Sequence, residues 1–551
     1  RCGRLSGVTF LLWKMSALRT ARVSKNLKNI GLVASLTMVS RVLGLVRDSL
    51  TAAVFGTSAL ASAFFTAFQL PNLFRRLLGE GALTAAFVPT LNDELAKRRR
   101  EGAFVLVNEV ASWLLLVSVG LVAVTMLVLS QPGWLVALGR AGGAEADTVG
   151  RWLQGAELAV LLFPYLIFVC MAAAFSAALQ TLGRFLEPAL SPVWLNLAMI
   201  GMLAGAVWWR PDMETEQMLS LCAGVLVGGF FQMAVPAWAL MREGWRPRFT
   251  PRLSEPVREI MRLMVPTLLG SAVYLINMTV SRLIGLSLND SAVSVLNFAQ
   301  RLMELPIGVF AVAVTTVVFP LISRHAAQGN REGLAQSYRK GMRLILAVNV
   351  PAAVGLAILG EPVIRLLFQR GAFAAADTLA MVPVLAVAAA GLPFLAFANL
   401  ALRAFYAEKD TVTPMRAAVL SFVVNVSLSF ALMGHFSTVG LAAASTIATL
   451  AQAWFLQTRL TRRRPELSLR YIAGDLAKVA IASALMGASV WAGWRGWTLW
   501  RAQSVWSDAI GLAVAITGGV ALYAALAWML RVEAREEIAE LVRRRIQKTS
   551  T

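Results

Sequence analysis

Two segments decide the fold: SRVLGLVRD at residues 40–48 and QLPNLFRRLLGEG at residues 69–81. Each places arginine and acidic side chains inside apolar sequence of helical character. An arginine at the centre of a bilayer costs roughly 2.5–3.5 kcal/mol on insertion scales, so these side chains are expected to face protein, water or a ligand. The two segments therefore predict membrane helices that carry a binding site.

The composition of the whole chain supports a membrane protein. Of its 551 residues, 58% are hydrophobic and only 15% are charged, which leaves too little polar surface to cover a soluble domain. Lys and Arg number 51 against 30 Asp and Glu. In a membrane protein such an excess is first a signal of topology, so we expect no nucleic-acid partner.

Apolar runs long enough to cross about 30 Å of hydrocarbon occur fourteen times along the sequence. They lie near 30–52, 58–78, 104–129, 152–182, 188–208, 218–241, 260–286, 292–322, 340–360, 378–405, 414–433, 437–458, 472–494 and 508–530. The sequence therefore predicts an all-α polytopic membrane protein with 14 transmembrane helices.

The loops between these runs alternate in charge. Basic clusters, such as Lys97 to Arg100 and Arg462 to Arg464, follow the even-numbered runs, and the loops after the odd-numbered runs hold acidic or uncharged sequence. Because cytoplasmic loops are enriched in Lys and Arg, both termini are predicted to be cytoplasmic. The basic clusters could also contact the head groups of anionic membrane lipids.

A weak internal sequence repeat divides the chain into two halves. Asn72 and Arg75 of the second run correspond to Asn297 and Arg301 of the eighth, and six spans in each half would give the two halves the same orientation. We predict an N-lobe at 25–255, a C-lobe at 256–465, two further helices at 466–534 and a basic cytoplasmic tail at 535–551. Residues 1–24 are expected to lie outside this fold.

The candidate site consists of the charged side chains within the spans. The cations are Arg41, Arg47, Arg75, Arg76, Arg282 and Arg301, and the acids are Asp48, Glu80 and Glu304. Helical spacing places Arg41 with Asp48, Arg76 with Glu80 and Arg301 with Glu304 on shared faces, so each acid could be a structural partner. Snorkelling is the alternative for Arg47 and Arg282.

Pairing the three acids leaves cations in excess, and guanidinium groups in a water-filled cavity suit a phosphate or pyrophosphate. Three scattered cysteines and two histidines give no metal site, and the sequence has no phosphate-binding loop or catalytic triad motif. We therefore predict no cofactor, no metal and no enzymatic chemistry. The protein moves a cargo.

At these residues the sequence resembles the MurJ (MviN) family of lipid II flippases. The resemblance rests on residues 40–48, Phe64-Phe65, LPNL at 70–73, EGA at 80–82, AFVP at 86–89 and RLMELP at 301–306. It implies two six-helix lobes around a cationic cavity, plus two C-terminal helices that help to form a groove for a lipid tail. The implied partner is lipid II, an undecaprenyl-pyrophosphate disaccharide-pentapeptide, moved to the outer leaflet of the bacterial inner membrane.

By matching position, the resemblance makes Arg41, Arg47, Arg75 and Arg301 substrate-binding residues and Asp48, Glu80 and Glu304 their acidic partners. Asn72, Arg76 and Arg282 are secondary candidates, and contact with the cell-wall synthesis machinery is a possible further partnership. Ser62 stands where members of the family often have Asp, and Gln300 stands where some have Asp. Ser281 and Arg403 occupy positions where some members carry acids associated with a cation site. A sodium-coupled mechanism is therefore not carried over.

Three alternatives stay open at the level of sequence. The first is a flippase for another sugar linked to polyprenyl pyrophosphate, and the second is an exporter of cationic drugs on the same fold. The third is a receptor that binds the lipid-linked precursor without moving it. A drug exporter would need an acidic cavity, whereas the predicted one is basic.

Overall fold

The computed structural model describes residues 31–75, 83–408, 410–500, 504–533 and 535, and every regular element within them is helical. The first helix, α1, covers 31–55 of these residues. The helices that follow are α2 (Ala59–Phe74), α3 (Thr84–Leu129), α4 (Gly133–Ala141), α5 (Ala146–Leu162), α6 (Tyr165–Thr181), α7 (Leu186–Trp209), α8 (Glu214–Arg242), α9 (Glu255–Leu288), α10 (Ala292–Ala327), α11 (Arg331–Phe368), α12 (Ala375–Ala390), α13 (Leu392–Ala407), α14 (Val412–Arg463), α15 (Ala473–Trp500) and α16 (Val505–Met529).

Each predicted apolar run lies largely within these helices. Eight helices of the described residues are long and apolar enough to cross a membrane, or nine when the bent pair α5 and α6 is counted as one span. Two long helices contain a break: α14 has a left-handed residue at Ser437 (φ 49°), between two predicted spans, and α3 has one at Arg99 (φ 55°). The prediction of a loop after the second span was wrong from Thr84 to Arg98, which is helical.

The chain forms two compact units. Of the described residues, the first contains 31–50, 70–75, 83–131 and 159–268, and the second contains 51–69, 132–158, 269–408, 410–500, 504–533 and 535. The core of the first unit is built from α3, α6 and α8, where Phe87, Leu166, Phe175 and Leu240 are fully or nearly fully buried. The division of the chain into lobes at 255 stays a prediction.

Close packing of α8 against α7 fixes the position of α7 in the first unit. A Cβ atom at Gly224 would lie 2.9 Å from the Cα of Met199, and one at Gly228 would lie 2.8 Å from the Cα of Leu195. Small residues four apart let two membrane helices approach closely, because no side chain separates their backbones. Such close packing matters in a membrane, where lipid supplies no hydrophobic force to hold helices together.

In the second unit, α15 and α16 dock onto α11 through ion pairs. Arg343 lies 2.8 Å from Asp475, and Arg365 donates to both carboxylate oxygens of Asp508 at 2.7 and 3.2 Å. The Tyr523 hydroxyl also donates to the carbonyl of Ala347 at 2.6 Å. These contacts attach the two C-terminal helices to the rest of the unit.

Candidate functional site

The charged residues of α1 meet α7 inside the first unit. Arg47 donates from Nε and Nη2 to Oδ1 of Asp48 at 2.8 and 2.7 Å, and its Nη1 donates to Oδ1 of Asn196 at 3.1 Å. The amide of Asn196 in turn donates to the carbonyl of Ser40 at 3.1 Å. The guanidinium therefore pairs with a carboxylate on its own helix and joins α1 to α7 through the neutral amide of Asn196.

This ion pair is buried. Asp48 is 0% exposed and Arg47 is 8% exposed. An arginine that snorkels places its charged group at the membrane surface, so burial excludes that alternative for Arg47. Charge-assisted hydrogen bonds of this length are about twice as strong as neutral ones, and the low dielectric inside the bundle leaves little screening.

The remaining candidates of the first unit are less buried. Arg41 and Arg75 are each half-buried, and Arg75 donates from Nε to Oδ1 of Asn72 at 3.2 Å. Asn72 thus contacts an arginine that the sequence singled out. Arg76 and Glu80 lie outside the described residues, so their proposed pairing stays a prediction.

In the second unit, the predicted pair on α10 forms. Arg301 donates to Oε2 of Glu304 at 2.8 Å, and both side chains keep some solvent contact, at 24% and 44% exposure. Arg282 of α9 instead makes neutral contacts, to the carbonyl of Val293 and to Oδ1 of Asn297, both at 3.2 Å. Among the described residues, no carboxylate lies within ion-pair distance of Arg282.

Both units keep an excess of positive charge at these positions. The described candidates of the first unit are three arginines and one acid, and those of the second are two arginines and one acid. Such groups can hold a multivalent anion, since each guanidinium presents a fork of donors that matches phosphate oxygens. No group of three or more His, Cys, Asp or Glu side chains within the described ranges is arranged to hold a metal.

Sequence reasoning missed the neutral partners. Asn196 was not singled out, although a lone amide inside an apolar run is itself a signal, because a buried polar group needs a hydrogen-bond partner. The same holds for Asn425, whose amide donates to Asn277 at 2.9 Å and to Ser281 at 2.7 Å. Ser281 therefore belongs to a neutral hydrogen-bonded cluster.

A further group of contacts within the second unit joins residues from the two halves of the sequence, and we call it the junction. It comprises Ala53, Gly56, Thr57, Ser62 and Arg151 on one side, and residues 286–294 and 371–377 on the other. The amide of Ala372 donates to the carbonyl of Ala53 at 2.7 Å, and the guanidinium of Arg151 lies 3.0 Å from Asp290.

Ser62 shows why an acid is not needed in the junction. Its hydroxyl is fully buried, donates to the carbonyl of Asp290 at 2.5 Å and lies 3.2 Å from the hydroxyl of Ser294. A carboxylate in the same place could not donate to that carbonyl and would carry an uncompensated charge.

Comparison with solved structures identifies the class of protein. The chain resembles a structure described as lipid II flippase MurJ in an inward closed conformation, with a TM-score of 0.72 and 24% identity over 91% of this chain and 99% of that one. An inward-facing multidrug resistance transporter of the MATE family matches with a TM-score of 0.62 and 15% identity, over 79% and 98% of the two chains. At these identities the likeness shows the fold alone, which is the all-helical fold that these two proteins share.

Sequence comparison then identifies the family. A family model described as "Lipid II flippase MurJ" matches residues 51–507. A probable lipid II flippase MurJ of Rhizobium meliloti (strain 1021) is 32% identical over 91% of this chain and 93% of its own length, and one of Haemophilus influenzae is 34% identical over 83% and 90%. The chain belongs to the MurJ family, and with its apolar helices it is a multi-pass protein of the bacterial inner membrane.

Proposed function

We propose that this protein moves lipid II from the inner to the outer leaflet of the cytoplasmic membrane by alternating access. The observation that carries the proposal is membership of the MurJ family over residues 51–507, with relatives named as probable lipid II flippases. The protein transports its cargo without converting it.

The charge of the candidate site supports an anionic cargo. The candidate contacts of the pyrophosphate of lipid II, each within its own unit, are Arg41, Arg47 and Arg75 of the first unit and Arg301 of the second, since a guanidinium group can hold phosphate oxygens bidentately. Asp48 and Glu304 compete with cargo for these arginines, so that they neutralise the site when it is empty. Glu80 has the same proposed role.

The finer architecture is also part of the proposal. Fourteen helices span the membrane and both termini are cytoplasmic. In this topology successive loops lie on alternate sides of the membrane. Contacts within each unit support it, because each contact joins loops that are expected on the same side. Glu243 lies 3.0 Å from Arg184 and 3.2 Å from Arg100 in the first unit, and Asn289 donates to Ser437 at 3.0 Å in the second.

The last two helices are proposed to contact the lipid tail. α15 and α16 are attached to α11 by the Arg343 and Arg365 ion pairs and expose apolar side chains along their length, including Ile481, Leu485 and Val514. A polyprenyl chain needs an apolar surface, whereas its pyrophosphate needs the arginines. Contact with the cell-wall synthesis machinery stays a prediction of the family resemblance.

Transport by alternating access requires that one set of contacts breaks, and the junction is suited to this. Its two glycines adopt left-handed conformations, Gly56 at φ 56° and Gly371 at φ 59°, where an added Cβ would lie 2.7 Å and 2.2 Å from carbonyl oxygens of the facing segment. The backbones therefore meet directly. Hydrogen bonds between backbones and short side chains can break and re-form without rearranging a core.

The test combines complementation with a leaflet-resolved measurement. The wild-type gene should restore growth to cells depleted of their own flippase, and labelled lipid II should become accessible at the outer leaflet. Alanine at Arg41, Arg75 and Arg301 together should abolish both. The matched control replaces Arg246, Arg248 and Arg252, exposed arginines of a loop, with alanine and should retain both.

Other outcomes would assign another function. Growth at the wild-type rate with all three site arginines replaced would refute the site. Outer-leaflet exposure of a different polyprenyl-linked sugar, with no movement of lipid II, would refute the cargo. Binding of lipid II without any change of leaflet would make the protein a receptor, and increased tolerance of cationic drugs would favour an exporter.

A further inference from the structure

A small basic cavity lies at the two ends of α14, and none of the residues that line it belongs to the candidate cargo site. Its volume is about 100 Å³. The first turns of α14 and its last turns, after the break at Ser437, form the walls. The residues that line it are Thr413, Arg416, Phe455, Arg459, Arg462 and Arg463.

The cavity carries more positive charge than its surroundings neutralise. Arg463 forms an ion pair with Asp410 at 2.6 Å, and that carboxylate also accepts from the amide and hydroxyl of Thr413 at 3.0 and 2.7 Å. For Arg416, Arg459 and Arg462, no carboxylate in the described part of the chain lies within 4.0 Å. Three like charges around one cavity repel each other unless an anion enters.

Nearby aromatic side chains indicate the depth of the cavity in the membrane. Trp454 is 73% exposed and directly precedes Phe455 of the cavity wall, and Tyr406, at the end of the preceding helix, is 50% exposed. Exposed Trp and Tyr concentrate at the level of lipid head groups. Phe455 supplies an apolar wall, over which the Arg459 guanidinium lies at 5.2 Å from the ring centre.

We propose that this cavity binds the phosphate of an anionic membrane lipid, with Arg416, Arg459 and Arg462 as its ligands. The volume suits a phosphate group, and the arginines offer paired donors to its oxygens. The aromatic side chains favour a lipid head group over free phosphate. Because the ligands come from both ends of α14, the bound lipid holds the start and the end of this broken helix together.

The test measures lipid-dependent stability of the full-length protein. Purified protein in detergent receives either phosphatidylglycerol or phosphatidylcholine, and the thermal unfolding midpoint is followed as lipid is titrated. Phosphatidylglycerol should raise the midpoint of the wild type. Each arginine at an anionic lipid surface contributes about fivefold to affinity, so R416Q/R459Q/R462Q should bind phosphatidylglycerol more weakly by on the order of a hundredfold.

The matched control is R246Q/R248Q/R252Q, which removes the same charge from exposed positions outside the cavity. It should keep the wild-type response to phosphatidylglycerol. An equal loss in both triple variants would overturn the proposal, because net charge alone would then explain the binding. So would equal stabilisation of the wild type by both lipids.

A second arm separates the two sources of phosphate. Inorganic phosphate at millimolar concentration, without lipid, should leave the midpoint of the wild type unchanged. A shift with inorganic phosphate that is lost in R416Q/R459Q/R462Q, together with no response to phosphatidylglycerol, would overturn the assignment to a lipid. None of the three arginines belongs to the proposed cargo site, so these results do not depend on flippase activity.

Discussion

Replacing Asp48 with asparagine should lower the free energy of unfolding by about 3 kcal/mol. Asp48 is fully buried and accepts two charge-assisted hydrogen bonds from Arg47, which is itself nearly buried. Removing one partner of a buried ion pair costs about 3–5 kcal/mol, because the other charge is left uncompensated. We expect the lower end of this range, since Asn196 still accepts from the guanidinium at 3.1 Å.

The assay is an unfolding titration of the full-length protein in mixed micelles. The matched control is Glu216→Gln, which removes the acid of an ion pair with Arg210 whose side chains are 42% and 52% exposed. Exposed pairs contribute about 0–1 kcal/mol, so this variant should unfold almost as the wild type does. A loss for Asp48→Asn no greater than that of the control would refute the reasoning.

A double-mutant cycle isolates the interaction itself. The variant Arg47→Met removes the charge that Asp48 compensates, and the double variant removes both charges. If the two side chains stabilise the unit as a pair, the summed losses of unfolding free energy in the two single variants should exceed the loss in the double variant by about 2 kcal/mol. Additive effects, within about 0.5 kcal/mol, would show that Asp48 acts through another neighbour.

Three further predictions concern the second unit. Glu304→Gln should change stability by no more than about 1 kcal/mol, because its pair with Arg301 is partly exposed, but should slow release of cargo in the leaflet-resolved assay. Gly371→Ala should lower the thermal midpoint, since its φ of 59° and a Cβ only 2.2 Å from the carbonyl of Ala53 strain the backbone; an unchanged midpoint would contradict the junction. Burial raises the pKa of Asp410, but hydrogen bonds from Thr413 and Arg463 outweigh it and lower the pKa to about 2. Because this value lies below the pKa of about 3.9 in an unfolded chain, the stabilisation is complete above about pH 4 and is lost as the pH falls through about 2. Asp410→Asn should remove this dependence from unfolding midpoints measured across that range.

Local spacing predicted part of the site. The pairing of Arg301 with Glu304 follows from three-residue spacing on a helix, and the structure forms it. The ion pair of Arg47 with Asp48 was not predicted, because adjacent residues on a helix point in different directions. Here the long arginine side chain turns toward a buried neighbour, and Asn196 of another helix holds it there.

Tertiary contacts explain what the sequence could not provide. Asn196 lies 149 residues from Arg47 along the chain, on a helix that packs closely against α8 at Gly224 and Gly228. The junction likewise joins segments more than 200 residues apart, such as Ser62 and Asp290. Apolar periodicity predicts that helices form, but only packing decides which polar side chains they bring together.

The structure also separates the roles of the arginines in the first unit. Arg47 is buried, pairs with Asp48 on its own helix and donates to the neutral amide oxygen of Asn196, which connects α1 to α7. Arg41 and Arg75 are half-buried, and a side chain with solvent access can change partners at lower cost when an anion enters. If phosphate binding uses the accessible arginines, Arg47→Ala should reduce both stability and transport, whereas Arg41→Ala should reduce transport with little loss of stability. Arg41 and Arg75 then contribute chiefly to binding of the anionic cargo, whereas Arg47 contributes both to that binding and to the packing of α1 against α7.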